Sequence, residues 1–312
     1  MTLALGRLAA KDLLCTSTMP LADIERIYTV ATQLKRGRST YTKVLEHKRL
    51  AMIFEKDSLR TRFTFDIGIQ DMGGSAVFMD HRDARIGSRE SVKDIAKNLE
   101  RWVHGIVART FKHRAIEELA QHARIPVING LSDLVHPCQG LTDLFTLVEK
   151  WGAVRGRTIA YVGDGNNTCS SLVLTALKLG ANVRVCSPEG YEPKPVIQRL
   201  AAQIARETGA EYTVTRDPDH GADGADAIYT DVWASMGQED EIEERNGIFA
   251  AYQVDEAMMK RANPGAYFMH CLPAHRGWEV TQEVLDGPQS IVFDIAENRL
   301  HVQKAILALL MQ

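Results

Sequence analysis

Short apolar runs recur along the first half of the chain, at 49–54 (RLAMIF), 75–80 (SAVFMD), 104–110 (HGIVART) and 125–130 (IPVING). Each is rich in β-branched or aromatic residues and is bounded by charge, glycine or proline, the pattern of a buried strand. Between them, 91–102 and 113–123 place apolar residues at helical spacing. Strand and helix in alternation predict a parallel sheet with crossover helices. The rhythm returns in the second half, with strands predicted at 157–163, 181–188, 210–217, 225–231, 266–273 and 290–296 and helices at 170–180 and 194–209. A long helix is expected over 131–150, joining the halves, and an amphipathic helix from Glu297 to the end. The expected fold is α/β, in two domains, each a parallel β-sheet flanked by helices. Such sheets bind ligands at the carboxyl ends of their strands, which puts the active site in the interdomain cleft.

Composition narrows the classes of function. A chain of 312 residues suits two domains of about 150 residues each. A net charge of −3 gives no bulk basic footprint for nucleic acid or an anionic membrane, so any basic site must be local. Five scattered cysteines, with no CxxC and no zinc-type spacing, predict unpaired thiols in a reducing compartment and no metal. No apolar run approaches membrane-spanning length. A cytoplasmic address is expected.

Candidate chemistry falls at predicted strand ends. In FEKDSLRTRFTF, Phe54 to Phe65, a strand stops at Phe54 and Asp57 or Ser58 can cap a helix beginning near Leu59. A helix N-terminus favours an anion such as phosphate, and Arg60 and Thr61 add a guanidinium and a hydroxyl there. Residues two apart do not share a helix face, so Arg62 is read instead as a structural ion-pair partner. The bland alternative is a capped helix with solvent-facing arginines. Arg109 ends the strand in VART, where a surface ion pair is the competing reading. HPCQ offers His136 and Gln139 on one helix face, although a lone histidine is more often structural. Asp231 leaves a strand in DVWASMG, four residues before Ser235, either as a cap or as a grip on an ammonium group. Cys271 and Leu272 precede Pro273 at the end of a buried strand, and Arg299 is read as another strand-end arginine. In AYVGDGNN, Gly163 and Gly165 imitate a dinucleotide fingerprint, but threonine stands where the third glycine belongs, and a nicotinamide site is weak.

Taken jointly, SLRTR, HPCQ, DVWASMG and FMHCLPAHRG resemble the ornithine carbamoyltransferases, within the wider aspartate/ornithine carbamoyltransferase group, over essentially the whole chain. The first two motifs imply use of carbamoyl phosphate; the last two carry the inference to ornithine. The resemblance implies transfer of the carbamoyl group to the δ-amine of L-ornithine, giving citrulline and phosphate within arginine biosynthesis, with no cofactor. It implies a carbamoyl-phosphate-binding domain over 1–134, on which a helix at 297–312 packs back, and an ornithine-binding domain over 135–296. Carbamoyl phosphate would be held by Ser58, Leu59, Arg60, Thr61, Arg109, His136, Gln139, Cys271, Leu272 and Arg299. Ornithine would be held by Asn167, Asp231, Ser235 and Met236. Arg60, Arg109, His136, Asp231 and Cys271 would be catalytic. A homotrimer, or a multiple of trimers, is implied as well.

Two positions depart from the family pattern. Leu59 stands where the family usually has threonine, and relatives acting on acylated ornithine also tolerate leucine there, so an acylated ornithine or another amine is the alternative acceptor. Arg85 stands where glutamine is common, in a loop that in the family reaches the neighbouring subunit. It is either a further phosphate contact across the trimer interface or a surface arginine.

Overall fold

The computed structural model of the chain describes residues 5–37, 42–80, 85–234 and 239–312. It divides into two compact units, one of Met1–Leu141 with Glu297–Gln312 and one of Thr142–Ala296.

The first unit holds a parallel sheet of strands β1 (Arg49–Phe54), β2 (Ser75–Asp80), β3 (Gly105–Arg109) and β4 (Val127–Leu131), in the order β2-β1-β3-β4. Its helices are α1 (Leu21–Arg36), α2 (Leu59–Asp71), α3 (Val92–Trp102) and α4 (His113–His122). The chain steps from β1 to β2 on one side and then returns to β3 on the other. The carboxyl ends of β1 and β3 therefore flank a topological switch point, where open α/β sheets bind ligands. Phe54 pairs in register with Arg109, so the turn leading into α2 emerges beside that arginine.

Helix α5 (Pro137–Trp151) begins later than the 131–150 pattern suggests, because β4 extends to Leu131 and proline suits a helix start. The division between the units falls within α5 and within α12, which is introduced below.

The second unit carries β5 (Thr158–Val162), β6 (Asn182–Cys186), β7 (Tyr212–Thr215), β8 (Ala227–Tyr229) and β9 (Tyr267–Met269), all parallel, in the order β7-β6-β5-β8-β9. Helices α6 (Asn167–Lys178), α7 (Pro195–Thr208), α8 (Pro218–Ala222), α9 (Ile242–Phe249), α10 (Glu256–Arg261) and α11 (Gln282–Leu285) surround it. Here the switch point lies between β5 and β8. Tyr229 pairs with Met269, so Asp231 and Cys271, each two residues further on, leave the sheet side by side. One of its cores gathers Val162, Ile228, Phe249, Phe268 and Val292.

Two expectations fail near the C-terminus. The run at 290–296 is not a strand: only Ser290 bridges to Phe268, and helix α12 (Val292–Met311) starts two residues later. A short apolar run cannot be told from a buried helix by periodicity alone. Arg299 accordingly sits inside a helix and not at a strand end. Nor is α12 amphipathic over its last turns, since 301–309 is buried throughout. Gly68 of α2 permits its close approach, because an added Cβ would lie 3.1 Å from Lys304 Cγ. The Lys304 ammonium meets Asp71 at 2.9 Å.

Candidate active site

Each unit contains one cluster of predicted site residues. In the first, Ser58 is the N-cap of α2, its hydroxyl accepting from the Thr61 N–H at 3.2 Å. That settles the choice between Asp57 and Ser58. The cap oxygen accepts, so its proton remains to be directed at a ligand, and first-turn N–H groups have no intrahelical acceptor. Leu59 is the first helical residue and its side chain is exposed, so it offers its backbone there. Among the described residues Arg62 makes no ion pair of the expected kind; its guanidinium lies over the Phe78 ring, 3.8 Å from the centroid.

Arg299 organises the floor of this cluster. Its Nη2 donates to Thr61 Oγ1 at 2.9 Å, its Nη1 donates to Gln139 Oε1, and Nη1 stands 3.4 Å from His136 Nε2. The contact with Nε2 assigns the ring proton to Nδ1. Gln303, one helical turn after Arg299, satisfies its neighbours only with its amide oxygen toward the guanidinium, accepting from Nε at 3.3 Å and Nη2 at 3.0 Å. His136 is not on a helix face with Gln139 as expected. It precedes α5 and its carbonyl accepts from the Gln139 N–H at 3.0 Å, yet both side chains reach Arg299.

Burial holds the His136 imidazole well below its usual range, and the cations of Arg299, Arg109 and Arg60 push it further down. The ring is neutral at physiological pH. Arg299 thus contacts a neutral imidazole that also lies in the field of Arg109 and Arg60, beside a helix N-terminus, an arrangement suited to a phosphate and a polarised carbonyl. Glu55, which the motif reading passed over, accepts from the N–H groups of Ile86 and Phe111, each at 2.7 Å, tying the segments after β2 and β3 to the end of β1. In the sequence it is marked only by its place immediately after a strand. Arg85 is exposed, with its guanidinium 4.7 Å from the Phe111 ring centroid.

In the second unit, the Cys271 thiol donates to Asp231 Oδ1 at 3.1 Å. Asp231 Oδ2 accepts from Asn166 Nδ2 at 2.9 Å. Asn166, which the motif reading did not assign to the ornithine site, is the amide partner of Asp231. Asn166 caps α6 with its amide oxygen, while Asn167 is the half-buried first residue of that helix. Leu272 has a left-handed φ of 59° and its N–H donates to His270 Nδ1 at 2.8 Å. Non-glycine residues in that region mark functional sites when their surroundings hold them there. His270 Nε2 stands 3.4 Å from Glu279 Oε1, and both side chains are fully buried. Asp231, His270 and Cys271 are close enough to bridge a metal ion, with one ligand atom each within 4.8 Å of the others, but these groups are engaged in the hydrogen bonds just given. Ser235 and Met236 lie outside the described residues.

The dinucleotide imitation has a packing cause. A Cβ on Gly165 would lie 2.3 Å from Pro193 N, so protein backbone occupies the space a pyrophosphate would need. The α6 N-terminus is filled by Asn166, which accepts from Thr168 N–H and Cys169 N–H. Glu189, the loose match for a ribose-binding acid, pairs with Arg216 at 3.0 Å. All five cysteines are among the described residues and none is in a disulfide. Among the described residues no helix is long and apolar enough to cross a membrane.

Two parallel-sheet units, one with a capped helix start beside a buried arginine and one with an acid–thiol pair at the carboxyl ends of β8 and β9, have the form of a two-substrate group-transfer protein. The profile of the aspartate/ornithine carbamoyltransferase carbamoyl-P binding domain matches residues 11–149, and that of the Asp/Orn binding domain matches residues 155–310. The chain belongs to the aspartate/ornithine carbamoyltransferase family. It is 50% identical over 306 residues to an ornithine carbamoyltransferase of Thermococcus kodakarensis, covering 97% of both chains. The solved ornithine carbamoyltransferase of Pyrococcus furiosus superposes with a TM-score of 0.94 at 48% identity, covering 98% of each chain. A solved acetylornithine transcarbamylase complexed with acetylcitrulline gives 0.88 at 30% identity, covering 97% of this chain and 100% of that one.

Proposed function

We infer that the chain is an ornithine carbamoyltransferase, moving the carbamoyl group of carbamoyl phosphate to the δ-amine of L-ornithine. The observation that carries this is Arg299 set against a neutral His136 and against Thr61 in the first turn of α2, within the field of Arg109 and Arg60. The phosphate sits on Ser58, the Leu59 N–H, Arg60 and Thr61, with Arg109. Thr61, Arg109 and His136 polarise the carbonyl oxygen, stabilising the charge that grows there in the tetrahedral transition state. Gln139 and the Leu272 carbonyl take the carbamoyl NH2. Asn167, Asp231, Ser235 and Met236 hold the amino-acid end of ornithine, and Asp231 with Cys271 orients its δ-nitrogen. That amine, with a pKa near that of lysine, about 10.4, must shed a proton to attack. The C–N bond forms, the C–O bond to phosphate breaks, and the departing phosphate takes the amine proton. The direction is biosynthetic, in keeping with the P. furiosus relative, 48% identical, whose name specifies the anabolic enzyme.

The acceptor is free ornithine and not its acylated form. The Leu59 side chain, the one feature favouring the latter, is 67% exposed at the start of α2. The test is a panel of ornithine, acetylornithine and putrescine with carbamoyl phosphate. Citrulline from ornithine alone is expected, whereas activity with acetylornithine and none with ornithine reverses the assignment.

The working form is a homotrimer. Val77, Met79 and Trp102 are more than half exposed around a groove of about 760 Å³ that Arg85 also lines, an apolar face suited to a second copy of the chain. Arg85, which lines that groove, adds a phosphate contact in the neighbouring subunit on this reading. Light scattering on the protein and on Trp102→Glu tests this; a monomeric parent protein overturns it.

A further inference from the structure

We propose that Arg245 is a positioning residue for Asp231, bracing the chain on both sides of that carboxylate. The inference rests on the reading of Asp231 as an ornithine contact. Arg245 lies on α9, is 6% exposed, and joins separate segments at the carboxyl end of the second sheet. Its Nη1 donates to Asp164 Oδ2 at 3.1 Å and to the Trp233 carbonyl at 2.8 Å. Its Nε donates to Glu241 Oε2 at 2.8 Å, and the guanidinium lies 5.0 Å from the Tyr191 ring centroid.

Two of these contacts lead to Asp231. Asp164 follows β5, and its carbonyl accepts from the Asn166 N–H at 2.7 Å and from the Tyr161 hydroxyl at 2.9 Å. Asn166 in turn holds Asp231 Oδ2 at 2.9 Å. Trp233 stands two residues beyond Asp231 on the same strand exit. One planar guanidinium therefore fixes both the turn that supplies the amide partner of Asp231 and the backbone that follows it. Asp231 is left with one oxygen on Asn166 and the other on the Cys271 thiol. A lysine could pair with Asp164 but has no rigid fork to span the Trp233 carbonyl and Glu241 at once. Relaxing the brace shifts the carboxylate that orients the amine while leaving the first unit's anion site untouched.

Steady-state kinetics on Arg245→Lys, Asp164→Asn and the double variant test this, beside Asp231→Asn as the reference and with folding checked by circular dichroism. Both single variants are expected to raise the KM for ornithine at least fivefold with the KM for carbamoyl phosphate within twofold. The double variant should be no worse than the more damaging single, because both act through one contact. A smaller rise with the fold intact, an equal rise in both KM values, or additive effects in the double variant overturns the proposal. If Arg245→Lys does not fold, Glu241→Gln removes a half-exposed outer partner instead; at least a twofold rise in ornithine KM is then expected, and no rise overturns the bracing. An unchanged ornithine KM in Asp231→Asn would instead overturn the ornithine-contact reading itself.

Discussion

Arg299 donates to Thr61 Oγ1 at 2.9 Å across 238 residues of sequence, joining the last helix to the first turn of α2. With Gln139, Gln303 and His136 around the same guanidinium, the bond makes the C-terminal helix part of the candidate site. Arg299→Lys should therefore cost both activity and stability, since one ammonium cannot reach four acceptors in a fixed fork. A loss of about 100-fold or more in kcat/KM for carbamoyl phosphate is expected, with destabilisation of roughly 2–4 kcal/mol. Urea unfolding and citrulline assays measure the two; a variant as stable and active as the parent would remove Arg299 from the site.

Arg60 and Arg62 are expected to separate by function although one residue lies between them. Arg60→Ala is expected to lower kcat/KM for carbamoyl phosphate about 1,000-fold, the scale of losing a charge-assisted phosphate contact and its transition-state share. Arg62→Ala removes a contact with the Phe78 ring, and a change within about threefold is expected. Parallel kinetics decide it. Equal losses in both variants would mean that the helical split between the two arginines is wrong.

His136 gives a pH signature of known sign. The unfolded ring takes a proton near pH 6.5, whereas the native ring, buried beside three arginines, takes it only at much lower pH. Below about 6.5 the unfolded state therefore binds more protons, and stability falls as the solution is acidified. His136→Gln should remove this share of the acid destabilisation. The check is ΔG of unfolding from urea titrations between pH 5 and 8, together with histidine proton shifts, in which the His136 ring should stay neutral. Protonation of that ring near pH 6.5 in the native protein would contradict its placement.

The motifs pointed to most residues of the first cluster, because their features are local: a cap, a helix start carrying one arginine, and another arginine at a strand end. What sequence could not supply was the company those residues keep. Arg299 was expected at a strand end because the apolar run at 290–296 has no period to distinguish strand from buried helix. Gln303 and Glu55 carry ordinary side chains whose roles depend on partners far along the chain. Asn166 and Asn167 stand adjacent, and only the capping of α6 shows that Asn166 turns its amide to Asp231. Arg245 and Asp164 are separated by 81 residues, so no local spacing links them.

Asp164 should impose a second pH dependence, of opposite sign for stability. Burial pushes its carboxyl up to about 7; Arg245 pulls it down, while Asp231 and Glu241 add to the rise. Tyr161 and Cys169, both buried and both pushed upward, face the same charge and stay neutral in this range. An acid with a raised native pKa binds its proton more tightly when folded, so its share of stability is greatest in acid. That share is lost as pH rises from about 4 to 7. The effect on catalysis runs the other way, since only the ionised carboxylate grips Arg245 and keeps Asn166 against Asp231. In the parent protein kcat/KM for ornithine should rise through pH 7 more steeply than deprotonation of the δ-amine alone dictates. Asp164→Asn should lose that extra limb and retain the amine's, while the KM for carbamoyl phosphate stays flat in both. Identical pH profiles for the parent and Asp164→Asn would show that the ionisation of Asp164 is not felt at Asp231.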